Sequence, residues 1–292
     1  MIEIIPGVTP IYSPSATSLF KQCQMKWWLR TQGWKLPSML TRKDVTGAMG
    51  NAFHVAAKAY MLAEQSMRGN AEGYYIAMAK EYYFDWFAAN QHLGLDDKAQ
   101  ADNEDAMQII SAMVKAFYNQ TFFDEVYDIV EVENQLVDYG NCIPDLVLRD
   151  RHGLIDVDYK TRTYSSDFYK RREIDEFHQT RQMLHYTWAI QHKYQEPVER
   201  CMLVIIPRNK RPKIESYTKY VDVHYRDGLW LKSSLRTWQE MFNCVVGSNW
   251  AQLADTHRDN FGTCEFVKAC LDHHLDPETM VEDYIQELEV LA

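Results

Sequence analysis

The stretch from Pro144 to Arg162 constrains this chain more than any other. Two runs rich in apolar and β-branched residues, Leu146 to Leu148 and Leu154 to Val157, flank Asp150-Arg-His-Gly153, which has the composition of a turn. Asp145 lies at the start of the first strand, and Asp158 and Lys160 lie two apart on the second. Side chains two apart on a strand point to the same face. Asp158 and Lys160 therefore project together, and a neighbouring strand can bring Asp145 alongside. Asp156 and Asp158 alternate with apolar Val157, the pattern of an ordinary exposed strand face.

Two carboxylates and an ammonium that converge have a specific chemistry. Hard oxygen ligands suit Mg²⁺ or Mn²⁺. Such an ion polarises a phosphate and lowers the pKa of a bound water, and a neighbouring Lys stabilises developing negative charge or orients the water. Glu131 and Glu133 precede the motif on another strand-like run. We expect that run to present a solvated face, with Glu131 the residue in reach of a metal through water.

Around this centre the pattern falls into three blocks. A helical part covers about 13–120, with one helix through Ser13 to Arg30, one from about Gly47, and two more near Tyr74 to Ala89 and Lys98 to Tyr118. An α/β core covers about 121–225, including a helix from about Ile174 to His192 and strands at Cys201 to Asn209 and Glu215 to Tyr225. A C-terminal helical part covers about 226–292 and ends in an acidic helix from Pro277 to Leu291. No repeat or long Gly/Ser or Pro linker divides the chain, so we read 1–292 as a single domain.

The hydrophobic share of 46% is enough to build a substantial core. A formal net charge of -10 disfavours non-specific coating of nucleic acid, while leaving room for a local basic channel. No basic start followed by an apolar run opens the chain, and no apolar stretch approaches the ~20 residues that span a bilayer. The expected location is cytoplasmic. Of the six cysteines, Cys142 and Cys201 sit in strand-like runs and read as reduced core thiols.

Pro144-Asp145…Asp158-Tyr159-Lys160-Thr161 resembles the motif of the PD-(D/E)XK nuclease superfamily, in the Asp-Tyr-Lys-Thr form of its RecB-like exonucleases. Upstream, Gly50-Asn-Ala-Phe-His54 resembles the G-x-x-x-H helix of that family, and downstream Gln182-Met-Leu-His-Tyr186 resembles its Q-x-x-x-Y helix. Tyr12 to Trp28 resembles the opening helix of the same subgroup. The resemblance implies a restriction-endonuclease-like α/β core, a central mixed β-sheet flanked by helices, with an N-terminal helical region. It implies His54, Asp145, Asp158 and the main-chain carbonyl of Tyr159 as metal ligands. Lys160 becomes the catalytic cation, with Gln182 and Tyr186 in support.

One branch of that family holds a [4Fe–4S] cluster on four cysteines that clamp the chain ends. Cys23, Cys264 and Cys270 match three of its positions, and His257 stands near the fourth, where a cysteine is missing. A Cys₃His set can hold a cluster or Zn²⁺.

Two basic stretches carry aromatic neighbours: Lys160 to Arg172 with Tyr164, Phe168 and Tyr169, and Arg208 to Lys213 with Tyr217 and Tyr220. Such surfaces track phosphates and stack on bases. There is no phosphate-binding G-x-x-x-x-G-K-[ST] loop, so a helicase or recombinase partner would be a separate chain.

The function expected is metal-dependent DNA exonuclease activity, on single-stranded DNA or DNA ends, in phage or bacterial recombination, repair or replication. The alternatives are a nuclease of CRISPR adaptation and a non-catalytic DNA-binding or assembly subunit that kept the fold. The superfamily contains ring-forming members, so a homo-oligomer is compatible with the resemblance.

Overall fold

The computed structural model describes residues 12–32, 34–35, 39–63, 71–119, 127–136 and 142–247, and three short strands near the C-terminus. The chain divides into two compact units, Met39–Gly228 and the pair of segments Met1–Ser38 and Leu229–Ala292. In chain order the elements are α1 (Pro14–Gln22), α2 (Gln24–Thr31), β1 (Trp34–Lys35), α3 (Arg42–Leu62), α4 (Glu72–Asn90), α5 (Asp97–Tyr118), β2 (Asp128–Val132), β3 (Leu146–Asp150), β4 (Gly153–Arg162), α6 (Asp167–Glu176), α7 (Arg181–Tyr194), β5 (Arg200–Pro207), β6 (Glu215–Tyr220), α8 (Leu231–Gly247), β7 (Arg258–Asp259), β8 (Gly262–Thr263) and β9 (Ile285–Gln286).

The larger unit is built on a five-stranded sheet of order β2-β3-β4-β5-β6. Three pairings are antiparallel, and β4–β5 is parallel. A parallel pair needs a crossover connection, here supplied by α6 and α7. On one face Leu146, Leu148, Ile155, Val157, Tyr159, Met202 and Val204 form one core with residues of α3, α4 and α5. Phe53 and Phe117 meet the Tyr159 ring edge-to-face, the arrangement that aromatic quadrupoles favour. On the other face Val147 and Leu154 pack with Ala189 and Ile190 of α7.

Helix α7 accounts for one departure from the sequence pattern. The acidic face of β4 is not solvated: Asp156 and Asp158 are 0% and 2% exposed. A second departure lies in the crossover itself. The helix expected over 174–192 is two helices, because Thr180 leaves the helical conformation and caps α7, its hydroxyl accepting the N–H of Met183 at 3.3 Å. In the same way the strand expected to run to Tyr225 stops at Tyr220, and Val223–Tyr225 forms a helical turn capped by Asp222.

In the other unit the single opening helix is also two. Cys23 adopts an extended conformation, and its Sγ accepts the Lys26 N–H that starts α2. Phe20 and Trp27 stack edge-to-face, 5.2 Å between centroids. Trp238 of α8 donates its indole N–H to Thr17 at 3.2 Å. Ile285–Gln286 pairs with β1, which breaks the helix expected over 277–291; the rest of that segment lies outside the described residues. Among the described residues no helix is long and apolar enough to cross a membrane.

Candidate functional site

Three segments meet at the N-terminal end of β3. Asp145 is placed by its own carboxylate, whose Oδ2 accepts the backbone N–H of Tyr159 at 2.6 Å. From α3, His54 brings Nδ1 to 3.6 Å from Asp145 Oδ1 and 3.4 Å from Glu133 Oε1. The ligand atoms of His54, Glu133 and Asp145 all lie within 4.8 Å of one another, a group able to hold a metal ion. Helix α3 reaches this position because residue 50 has no side chain. A Cβ on Gly50 would stand 2.8 Å from Thr161 Oγ1.

Glu133 is the residue that sequence reasoning missed. Glu131, the acid expected to reach a metal, instead takes the hydroxyl of Tyr194 at 2.9 Å and the ammonium of Lys193. The register of β2 against β3 shifts between Ile129 and Glu131, and Glu133 then adopts a left-handed φ of 38°. These irregularities break the alternation on which the sequence reading relied. The Glu133 N–H donates to the Asp145 carbonyl at 3.1 Å, which ties the two acids together.

Beside this group stands a second one. Lys160 Nζ lies 2.8 Å from Asp158 Oδ1 and 3.2 Å from Gln182 Oε1, and Gln182 Nε2 donates to the same Asp158 oxygen at 2.9 Å. The ammonium, the carboxylate and the amide form a closed triangle. Gln182 is in the first turn of α7, so the Thr180 cap that starts this helix also sets the amide in place. Tyr186, one turn on, packs with the apolar cluster behind the site. Burial raises its pKa, and the carboxylate of Asp145 and the neighbouring Cys142, Asp156 and Asp158 add to the effect.

The electrostatics follow from crowding acids in a buried place. Burial raises the Asp145 pKa and the charge of Asp158 adds to that, against His54, the Tyr159 N–H and Lys160. Burial lowers the His54 pKa, but the hydrogen bond to Glu133 and the charges of Asp145, Glu133 and Asp158 outweigh it and leave it raised. Asp156 is fully buried, neither of its carboxylate oxygens has a hydrogen-bond partner, and burial raises its pKa well above the usual range. An added cation would relieve this surplus of negative charge.

A cleft of about 570 Å³ opens from Lys160 and Gln182 and is lined by Arg162, Tyr164, Tyr169 and Arg172 among others. That volume is in the range of pockets that bind small organic ligands. Around it the first basic stretch is largely paired, with Lys170 on Glu215 at 2.7 Å and Arg172 on Glu176 at 3.1 Å. Phe168 is exposed. In the second stretch Lys210 pairs with Asp105 at 2.8 Å, Tyr217 donates to Glu215, and Tyr220 is exposed.

The structure thus brings His54, Asp145, Asp158, Lys160 and Gln182 into one neighbourhood with Glu133. Cys142 and Cys201 are buried thiols, as their strand positions predict. Of the four cluster candidates only Cys23 is described, and its Sγ serves as the helix cap; His257, Cys264 and Cys270 lie outside the described residues.

A family model of the PD-(D/E)XK nuclease superfamily matches residues 11–271. No curated protein matches the sequence significantly. The five-stranded mixed sheet, flanked by helices and preceded by a helical region, is the restriction-endonuclease-like α/β fold expected from that resemblance. The chain belongs to the PD-(D/E)XK nuclease superfamily.

Proposed function

We propose that this protein is a Mg²⁺- or Mn²⁺-dependent DNA exonuclease that hydrolyses phosphodiester bonds. The observation that carries the reading is the convergence of His54, Glu133 and Asp145 donors within 4.8 Å, beside the Asp158–Lys160–Gln182 triangle. The donor set fits a divalent cation. Glu133 Oε1 is buried 3.4 Å from His54 Nδ1, and hard carboxylate oxygens with one imidazole suit Mn²⁺ well and Mg²⁺ acceptably.

His54, Glu133 and Asp145 would hold the ion, with Asp158 and the Tyr159 carbonyl as further ligands. A divalent ion there supplies charge to polarise the scissile phosphate and acidify a water. The chain's own residues do the rest. Asp145 is aimed by the Tyr159 N–H, and His54 is carried to it by α3. Lys160, fixed by two acceptors, presents an ammonium that stabilises charge on the phosphate oxygens or orients the attacking water. Gln182 is a positioning residue for Lys160, and Tyr186 backs the same wall.

Action on single-stranded DNA or DNA ends, a role in phage or bacterial recombination or repair, and a separate helicase or recombinase partner rest on the resemblance to RecB-like exonucleases. So does a [4Fe–4S] cluster on Cys23, His257, Cys264 and Cys270, which iron analysis and the visible absorption of freshly purified protein would test. The test of the exonuclease reading is digestion of matched linear and circular single-stranded DNA with Mn²⁺. Loss of the linear form alone supports it, and equal loss of both refutes it.

A further inference from the structure

None of the ten residues of α6 is buried. Ion pairs tie the helix to the sheet, Glu173 to Arg162 of β4 at 3.5 Å and Lys170 to Glu215 of β6 at 2.7 Å. The same helix carries two large rings in the open, Phe168 at 67% exposure and Tyr169 at 57%. Contiguous exposed apolar surface of this kind marks binding sites.

Tyr169, Arg172, Glu173 and Glu176 line the cleft that begins at Asp158 and Lys160. They stand at i, i+3, i+4 and i+7, so a single face of α6 forms this wall. Tyr169 is therefore turned to the cleft. The Phe168 ring meets it edge-to-face, 5.5 Å between centroids, a contact that aromatic quadrupoles favour and that steadies the Tyr169 ring.

The charges of the wall decide what it can hold. Arg172 pairs with Glu176 at 3.1 Å and Arg162 with Glu173 at 3.5 Å, and all four residues line the cleft. Each guanidinium is matched by a carboxylate, which leaves no surplus charge there to draw a phosphate. An exposed ring between paired side chains suits a flat, uncharged group. A nucleobase is such a group, and every base has a face that stacks on an aromatic ring. In a duplex those faces are covered by neighbouring base pairs; in a single strand they can be freed.

We propose that Tyr169 is a stacking platform for one unpaired base next to the phosphate being cut. The inference rests on the nuclease reading and deepens it. The ligand is a base of a single-stranded nucleic acid, held by its face without regard to identity. With its phosphate at Lys160, a strand that follows the cleft to α6 lays that base on the Tyr169 ring, and Phe168 backs the ring.

The test is KM for cleavage of a single-stranded oligonucleotide, intact or with an abasic analogue at each position in turn, by wild type, Tyr169→Ala and Tyr169→Phe. Tyr169→Ala should raise KM on the intact strand about 5- to 150-fold, the range given by loss of one base–aromatic stack. One abasic position should raise the wild-type KM by a similar factor and add nothing to Tyr169→Ala. Tyr169→Phe keeps the ring and should behave as wild type throughout. If Tyr169→Ala does not fold, Tyr169→Leu takes the same measurement. A wild type that cuts but is indifferent to every abasic position overturns the platform alone. So does a Tyr169→Ala that keeps the wild-type KM or loses as much to the abasic strand as wild type does. A wild type that neither cuts nor binds the oligonucleotide overturns the nuclease reading and the platform together.

Discussion

Gly50 faces Thr161 so closely that a Cβ on residue 50 would lie 2.8 Å from the threonine hydroxyl. The contact sets how near α3, and with it His54, comes to β4. We predict that Gly50→Ala pushes α3 outward, destabilises the protein by about 1–3 kcal/mol as overpacking does, and weakens Mn²⁺ binding. Adding Thr161→Ala should recover part of the metal affinity, because it removes the obstructing oxygen. Calorimetric titration of both variants checks this; a single variant with wild-type affinity would show that the approach of α3 does not position His54.

Glu133 and Glu131 are two residues apart and should behave oppositely. Glu133→Gln is expected to weaken metal binding at least about tenfold, the scale on which even supporting residues of metal sites matter, with little change in melting temperature. Glu131→Gln should leave metal affinity intact. It should lower stability by about 1 kcal/mol, through the bonds to Lys193 and Tyr194. Metal titrations and thermal melts on the two variants separate the roles, and matching affinities would remove Glu133 from the site.

Gln182 touches both Lys160 and Asp158, and neither of those contacts needs substrate. Gln182→Ala is therefore expected to lower kcat by about 10–100-fold, as loss of a supporting partner does, with a smaller change in KM. Steady-state cleavage kinetics give the split. A change confined to KM would mean that Gln182 binds substrate and does not hold Lys160.

Asp150 and Arg200 clamp the β3–β4 turn to the start of β5, with two hydrogen bonds of 2.8 and 2.5 Å. Those bonds hold the Asp150 carboxyl at about 2, below the usual value. A depressed carboxylate pKa stabilises the fold at pH values above the unfolded value and loses that contribution as pH falls toward the folded one. Asp150→Asn should therefore cost most stability at neutral pH and progressively less between pH 4 and pH 2. Urea denaturation at pH 2.5, 4 and 7 reads the difference, and a pH-independent cost would exclude the ion pair as its origin.

Much of the site is legible in the sequence, because its parts obey local periods. Asp158 and Lys160 share a face by the two-residue repeat of a strand, and Gln182 and Tyr186 share a face by the turn of a helix. What escapes local reading depends on partners far along the chain. Asp156 and Asp158 look solvated until α7, returning over the sheet in the crossover, covers them. Glu133 looks like any strand acid until a register shift and one left-handed residue turn it toward His54. The break at Cys23 has a similar origin, since a thiol that accepts the Lys26 N–H is not a residue type normally read as a cap.

The most direct measurement is digestion of end-labelled DNA by wild type and Lys160→Ala, each with Mn²⁺, Mg²⁺ or EDTA. The account predicts cutting by wild type with either ion, none with EDTA, and at least a hundredfold slower cutting by the variant, the scale of losing one charge-stabilising group. No cutting by wild type with either ion, or equal cutting by the variant, would contradict it.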